Sequence, residues 1–284
     1  MSESTQEYVV ACVDGATYTD AVTDYAAWSA QRMGQPLKLL HNVEHREVAS
    51  HDLSGAIGLG AQESLMQELV DVEQKRSKIL LEHGKHILNR QRDRLAEHGH
   101  PEPVLRQRHG PLTETLVDCE HEIHLLVMGI RGEQTEGNEL GAHLETVARS
   151  LHKPILVVNK PFTEPRSIML AYDGSEHSKK ALNMVAQLPL FRDIPCHVAG
   201  VGKLTGIQSA LSAAADVLQS AGIETTIAAL TGDPQAALVE YRRGNDIDLT
   251  VMGAFSHHRI RDLFVGSFTA KMMLSTQKPL LLLR

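Results

Sequence analysis

The sequence predicts an α/β protein of two tandem doubly wound domains, each a mostly parallel five-stranded sheet flanked by helices. Three internal matches carry this expectation. An apolar run closing on Asp-Gly, Val9 to Gly15, is answered by Ile168 to Gly174. Leu125 to Gly129 is answered by Leu249 to Gly253, and Lys153-Pro154 with Ile155 to Val158 by Lys278-Pro279 with Leu280 to Leu283. Similar segments recurring in one order at long period mark a repeated structural unit. Each run is short and continuously apolar, as strands need when helices cover both faces of a parallel sheet.

The repeat divides the chain into residues 1–160 and 161–284, joined through Lys160 to Pro165, where two prolines interrupt both helix and ladder. The spacing between matches shrinks along the chain, which gives the first half an insertion of roughly 35 residues after its second strand. Within it, Asp52 to Gly60 reads as a glycine-rich loop beside the crevice, suited to a lid or partner loop, and Leu69 to His98 as a long amphipathic helix.

In the second half the elements follow in order. Ser167 to Tyr172 reads as strand, Glu176 to Leu188 as helix, Pro195 to Val201 as strand and Gly206 to Ser220 as helix. Ile223 to Leu230 is then strand, and Pro234 to Arg243 helix, with Asp233 able to cap it and Pro234 at its first position. Asp248 to Gly253 (strand), Ser267 to Ser275 (helix) and Pro279 to Leu283 (strand) complete the half. Alternating β and α elements imply right-handed crossovers, and the expected strand order is 3-2-1-4-5. The fifth strands, Ile155 to Val158 and Leu280 to Leu283, would otherwise expose unpaired edges, so the halves are expected to pair through them as a pseudo-twofold unit.

Composition narrows the function. The 284 residues are 42% hydrophobic and 22% charged, with a formal net charge of -7. That charge argues against broad binding to nucleic acid, whose affinity comes mainly from neutralised phosphates. No stretch approaches the roughly 20 apolar residues of a membrane span. The polar start, Met1 to Gln6, lacks the basic and apolar pattern of a secretory signal, so the expected location is the cytoplasm. The three cysteines, Cys12, Cys119 and Cys196, are widely spaced among apolar neighbours and read as small buried fillers. His83 and His86 share a helix face but have no accompanying carboxylate or thiol set, so they read as solvated residues and not as metal ligands.

In an open parallel sheet a ligand sits beyond the carboxyl ends of the strands where the order reverses, between the first and fourth strands. Those strands end at Asp14 and Gly129 in one half and at Asp173 and Gly253 in the other. The second half continues from Met252 and Gly253 through Ser256, His257, His258, Arg259 and Arg261 to Gly266 and Ser267. With the strand-end Asp-Gly and the repeat, this loop resembles the signature of the universal stress proteins, in tandem form and over nearly the whole chain.

That resemblance implies a stress-response or regulatory protein without efficient catalysis, binding an adenine nucleotide such as ATP, with Mg2+ as an accompanying ion. It places Asp173, Gly174 and Ser175 by the adenine and ribose, Val201 against the adenine, and Met252, Gly253, Gly266 and Ser267 around the phosphates. Glycines let backbone N–H groups approach phosphate, and a helix amino end favours its charge. Ser256 stands where the pattern has a second glycine, and Arg259 is a candidate cation for the phosphates. In the first half, Glu133, Glu136 and Glu139 put negative charge in the matching loop and Ala142 replaces the serine, which argues against a phosphate site there. No Walker-type loop and no nucleophile with an adjacent base is present. The alternative is a scaffold or partner-binding protein, self-association included, whose nucleotide site has decayed.

Overall fold

Alternate residues of the central strands pack to opposite faces of one sheet, and this alternation sets the layers. In the computed structural model, which describes residues 6–44, 59–132, 141–253, 267–275 and 277–283, the first half runs β1 (Tyr8–Cys12), α1 (Thr19–Met33), β2 (Leu37–Val43), α2 (Leu59–Glu97), β3 (Val104–His109), α3 (Leu112–Asp118), β4 (Ile123–Gly129), α4 (Ala142–Ser150) and β5 (Ile155–Val158). The second runs β6 (Ile168–Ala171), α5 (Glu176–Gln187), β7 (Cys196–Val201), α6 (Leu204–Ser220), β8 (Thr225–Leu230), α7 (Pro234–Gly244), β9 (Leu249–Gly253), α8 (Ser267–Ser275) and β10 (Leu280–Leu283). Val9, Ala11, Leu125, Val127, Leu170 and Val251 join one core layer with α1, α2, α5 and α6. Val10, Leu126, Met128, Met169 and Met252 join the other, under α3, α4, α7 and α8.

The strands form one ten-stranded sheet in the order β3-β2-β1-β4-β5-β10-β9-β6-β7-β8. Each half thus has the expected 3-2-1-4-5 order, and pairing is parallel everywhere except at the join. There β5 and β10 run antiparallel, with Leu156 opposite Leu281, so each fifth strand covers the other's edge. Further contacts tie the halves together. The Tyr25 hydroxyl donates to the Thr163 carbonyl at 3.3 Å, its ring meets Phe162 edge-on at 4.8 Å, and Arg32 Nε donates to the Leu190 carbonyl at 2.9 Å.

Local chemistry explains several boundaries. Asp233 caps α7 by accepting from the Ala236 N–H at 3.0 Å, with Pro234 at the first position. Gly34 ends α1 at φ 63°, a left-handed conformation that glycine takes without a Cβ clash. The expected long helix starts ten residues earlier than the sequence reading placed it, so Leu59 and Gly60 belong to α2 and not to a loop. One glycine in a helix costs about 1 kcal/mol, which the helix formers Ala61, Gln62, Glu63, Leu65 and Met66 offset. Residues 52–58 of the expected loop lie outside the described residues. Among the described residues no helix is long and apolar enough to cross a membrane.

Candidate functional site

The second-half crevice begins at the end of β6, where the chain must turn sharply from strand to helix. Gly174 makes that turn at φ 78°, and Asp173 stabilises it by accepting the Ser175 N–H on Oδ1 at 2.9 Å. Ser175 then caps α5: its Oγ accepts the Ser178 N–H at 3.2 Å, and Ser178 Oγ donates to the Ser175 carbonyl at 2.9 Å. Partial desolvation pushes the Asp173 carboxyl up, but hydrogen bonds from Ser175 and Ser178 outweigh it and leave the group below its ordinary range, so it is held as a carboxylate. Among the described residues, a Cβ placed on Gly174 would meet nothing within 4 Å.

Gly253 closes β9 directly beneath the start of α5. A Cβ there would lie 2.8 Å from the carbonyl carbon and oxygen of His177, so glycine is required for helix and strand to approach. Sequence reasoning assigned Gly253 to a phosphate loop, and this packing is a second reason for it. Met252 is buried in the layer beneath α7 and α8. Val201, at the end of β7, is partly exposed, and beside it Ile207 of α6 fits against Gly200 and Gly202. The structure therefore gathers Asp173, Gly174, Ser175, Val201 and Gly253 at the strand ends. Ser267 opens α8, whereas Ser256, Arg259 and Gly266 lie outside the described residues, as do His257, His258 and Arg261.

The first half repeats the turn and then departs from it. Asp14 Oδ1 accepts the Ala16 N–H at 2.9 Å and the Thr19 hydroxyl at 3.0 Å, and Gly15 turns at φ 81°. Here, however, a Cβ on Gly15 would lie 2.9 Å from Ile87, because α2 crosses over the turn. A cavity of about 550 Å³ remains between the ends of β1, β2 and β4, walled on one side by Leu80 and His83 of α2. Asp14, Glu44 and His143 give it polar edges. Glu44 is engaged, accepting the Leu112 N–H at 2.7 Å with its other oxygen 3.4 Å from His143 Nε2. His41 also lines the cavity, with Nδ1 2.8 Å from the Val13 carbonyl, which can only accept, so the proton sits on Nδ1. Sequence reasoning missed this wall; the signal was Gly84 inside an otherwise helical pattern. Glu133, Glu136 and Glu139 lie outside the described residues, and Ala142 opens α4.

Among the described residues no cluster of three or more His, Cys, Asp or Glu side chains is placed to hold a metal ion. The cysteines are free: Cys196 is buried, while Cys12 and Cys119 are partly exposed. The sequence profile described as the universal stress protein family matches residues 7–159 and 195–284. The chain belongs to the universal stress protein family. A relative from Synechocystis sp., universal stress protein Slr1230, is 35% identical, covering 97% of this chain and 99% of the relative. The crystal structure of a universal stress protein from Archaeoglobus fulgidus is similar at TM-score 0.73 and 15% identity, with 98% of each chain covered. That of a putative universal stress protein from Pseudomonas aeruginosa is similar at TM-score 0.64 and 12% identity, covering 99% of this chain and 94% of the other. At these identities the two structures speak to the fold, which runs the length of both chains.

Proposed function

We propose that this universal stress protein binds an adenine nucleotide, ATP with Mg2+, in its second half and acts as a regulatory binder without efficient turnover. The reading takes residues 1–160 and 161–284 as two domains of unequal ligand capacity. One contrast carries it: among the described residues nothing lies within 4 Å of a Cβ built on Gly174, while one built on Gly15 would lie 2.9 Å from Ile87 of α2. Asp173 and Val201 would meet the ribose and adenine. The amino end of α8 at Ser267 would face the phosphates, with Gly266 and Arg259 supplying a close backbone and a cation. Free thiols and a nucleotide ligand suit the cytoplasm.

Isothermal titration with ATP tests the reading. We expect about one site per chain, with Asp173→Ala or Gly266→Val removing most binding and Asp14→Ala changing it little. Two equivalent sites, or binding lost through Asp14→Ala alone, overturns the assignment of the halves.

A further inference from the structure

At 39 residues α2 is about 58 Å long, far more than the sheet beneath it needs. Its carboxyl-terminal part packs through Gly84, Ile87, Leu88, Gln91 and Leu95. Ahead of that, residues 67–76 are all exposed. Most helical stability in proteins comes from the packing of an amphipathic face, so a projecting helix calls for packing from outside.

The projecting part carries an apolar seam of its own. Leu69, Val72 and Ile79 are 52%, 53% and 69% exposed. With Arg76 they follow a 3-4-3 spacing, which at about 100° per residue holds them within a quarter turn of one another. The seam lies roughly a quarter turn away from the line that packs on the body, so it is not the core stripe running on into solvent. Charge is segregated along the same stretch, with Glu68, Asp71 and Glu73 preceding Lys75, Arg76 and Lys78. Among the described residues only part of this charge is matched, for example Arg76 to Glu73 at 3.6 Å.

We propose that this length of α2 is a self-association surface, which pairs antiparallel with the same length of a second copy of the chain. An antiparallel partner centred near residue 74 sets Leu69 level with the partner's Ile79, and Val72 level with the stem of the partner's Arg76. It also lays Glu73 of each copy beside the partner's Arg76 and puts Glu68 on the same flank as the partner's Lys75, whereas parallel pairing would lay acid beside acid. The reciprocal contact is that of a twofold dimer. One pair of helices is small against the roughly 1,200 Å² of a stable interface, so the dimer is a dissociating one.

Sedimentation velocity on the full chain, from low micromolar to submillimolar concentration, tests this. The mass should rise toward that of a dimer with concentration and fall back in high salt. Leu69→Glu or Ile79→Glu should keep the protein monomeric throughout, with unchanged helical circular dichroism because both positions are exposed. Lys75→Glu with Arg76→Glu should weaken association about tenfold, and adding Glu68→Lys with Glu73→Arg to the same chain should restore it. A monomer at every concentration overturns the proposal. So does a dimer that survives Ile79→Glu, or a charge-swapped chain that stays monomeric.

Discussion

Gly84 of α2 lies directly against the imidazole of His41: a Cβ at position 84 would stand 2.3 Å from Cδ2 and 2.8 Å from Nε2. His41 has little room to retreat, because its Nδ1–H donates to the Val13 carbonyl at 2.8 Å. On the other side the same Cβ would meet Gln107 Nε2, which donates to the Leu81 carbonyl at 3.2 Å. This contact seats α2 on the sheet and so sets the wall of the first-half cavity.

Gly84→Ala should therefore destabilise the protein, although alanine is the better helix former. The propensity gain is about 1 kcal/mol and overpacking costs about 1–3 kcal/mol, so the expected net loss is about 1 kcal/mol. Urea unfolding followed by circular dichroism should show a lower midpoint with little change in slope. A higher midpoint would mean that His41 moves aside freely.

Thiol chemistry should report the fold. Burial pushes the Cys196 thiol up to about 12 and raises the Cys12 and Cys119 thiols as well. Little thiolate is present at neutral pH, so the folded protein should react slowly with Ellman's reagent, and in denaturing urea all three thiols should react promptly. Fast stoichiometric labelling of the folded chain would contradict this.

The repeating strands, their order and most boundaries in the second half were legible because each is a local pattern: an apolar run, a proline at a helix start, an Asp-Gly turn. The join through Leu156 and Leu281 was legible too, since an apolar fifth strand has to find a partner. The start of α2 was misread because Gly60 outweighed the helix formers after it in a local reading. The first-half crevice beside Asp14 and Gly129 was legible from the strand order, but of its α2 wall only Gly84 gave a sign. Its wall is made by residues far apart in sequence, Leu80 and His83 against Asp14 and Glu44, and only tertiary packing brings them together.

Acid should reveal the state of Asp173. Its carboxyl is held below the ordinary 3.8. The carboxylate's hydrogen bonds thus contribute stability that is fully present above that pH and is lost as pH falls through the lower folded value. Asp173→Asn should flatten this part of the acid-unfolding curve below pH 3.8 and leave the neutral part parallel to that of the parent. The effect should be small, because the side chain is exposed. An unchanged acid limb would show that the turn's hydrogen bonds do not favour the ionised form.

Joining β5 to β10 within one chain also releases a constraint on sequence. When two identical subunits meet about a twofold axis, every substitution appears twice and must suit both of its copies. Here Arg32 reaches the Leu190 carbonyl and Tyr25 clasps Phe162 and Thr163, contacts that either half can make without its counterpart doing the same. Once tethered, the halves hold together independently of protein concentration. One half then carries a second helix of 39 residues and the other one of 17, so a single polypeptide presents two different surfaces.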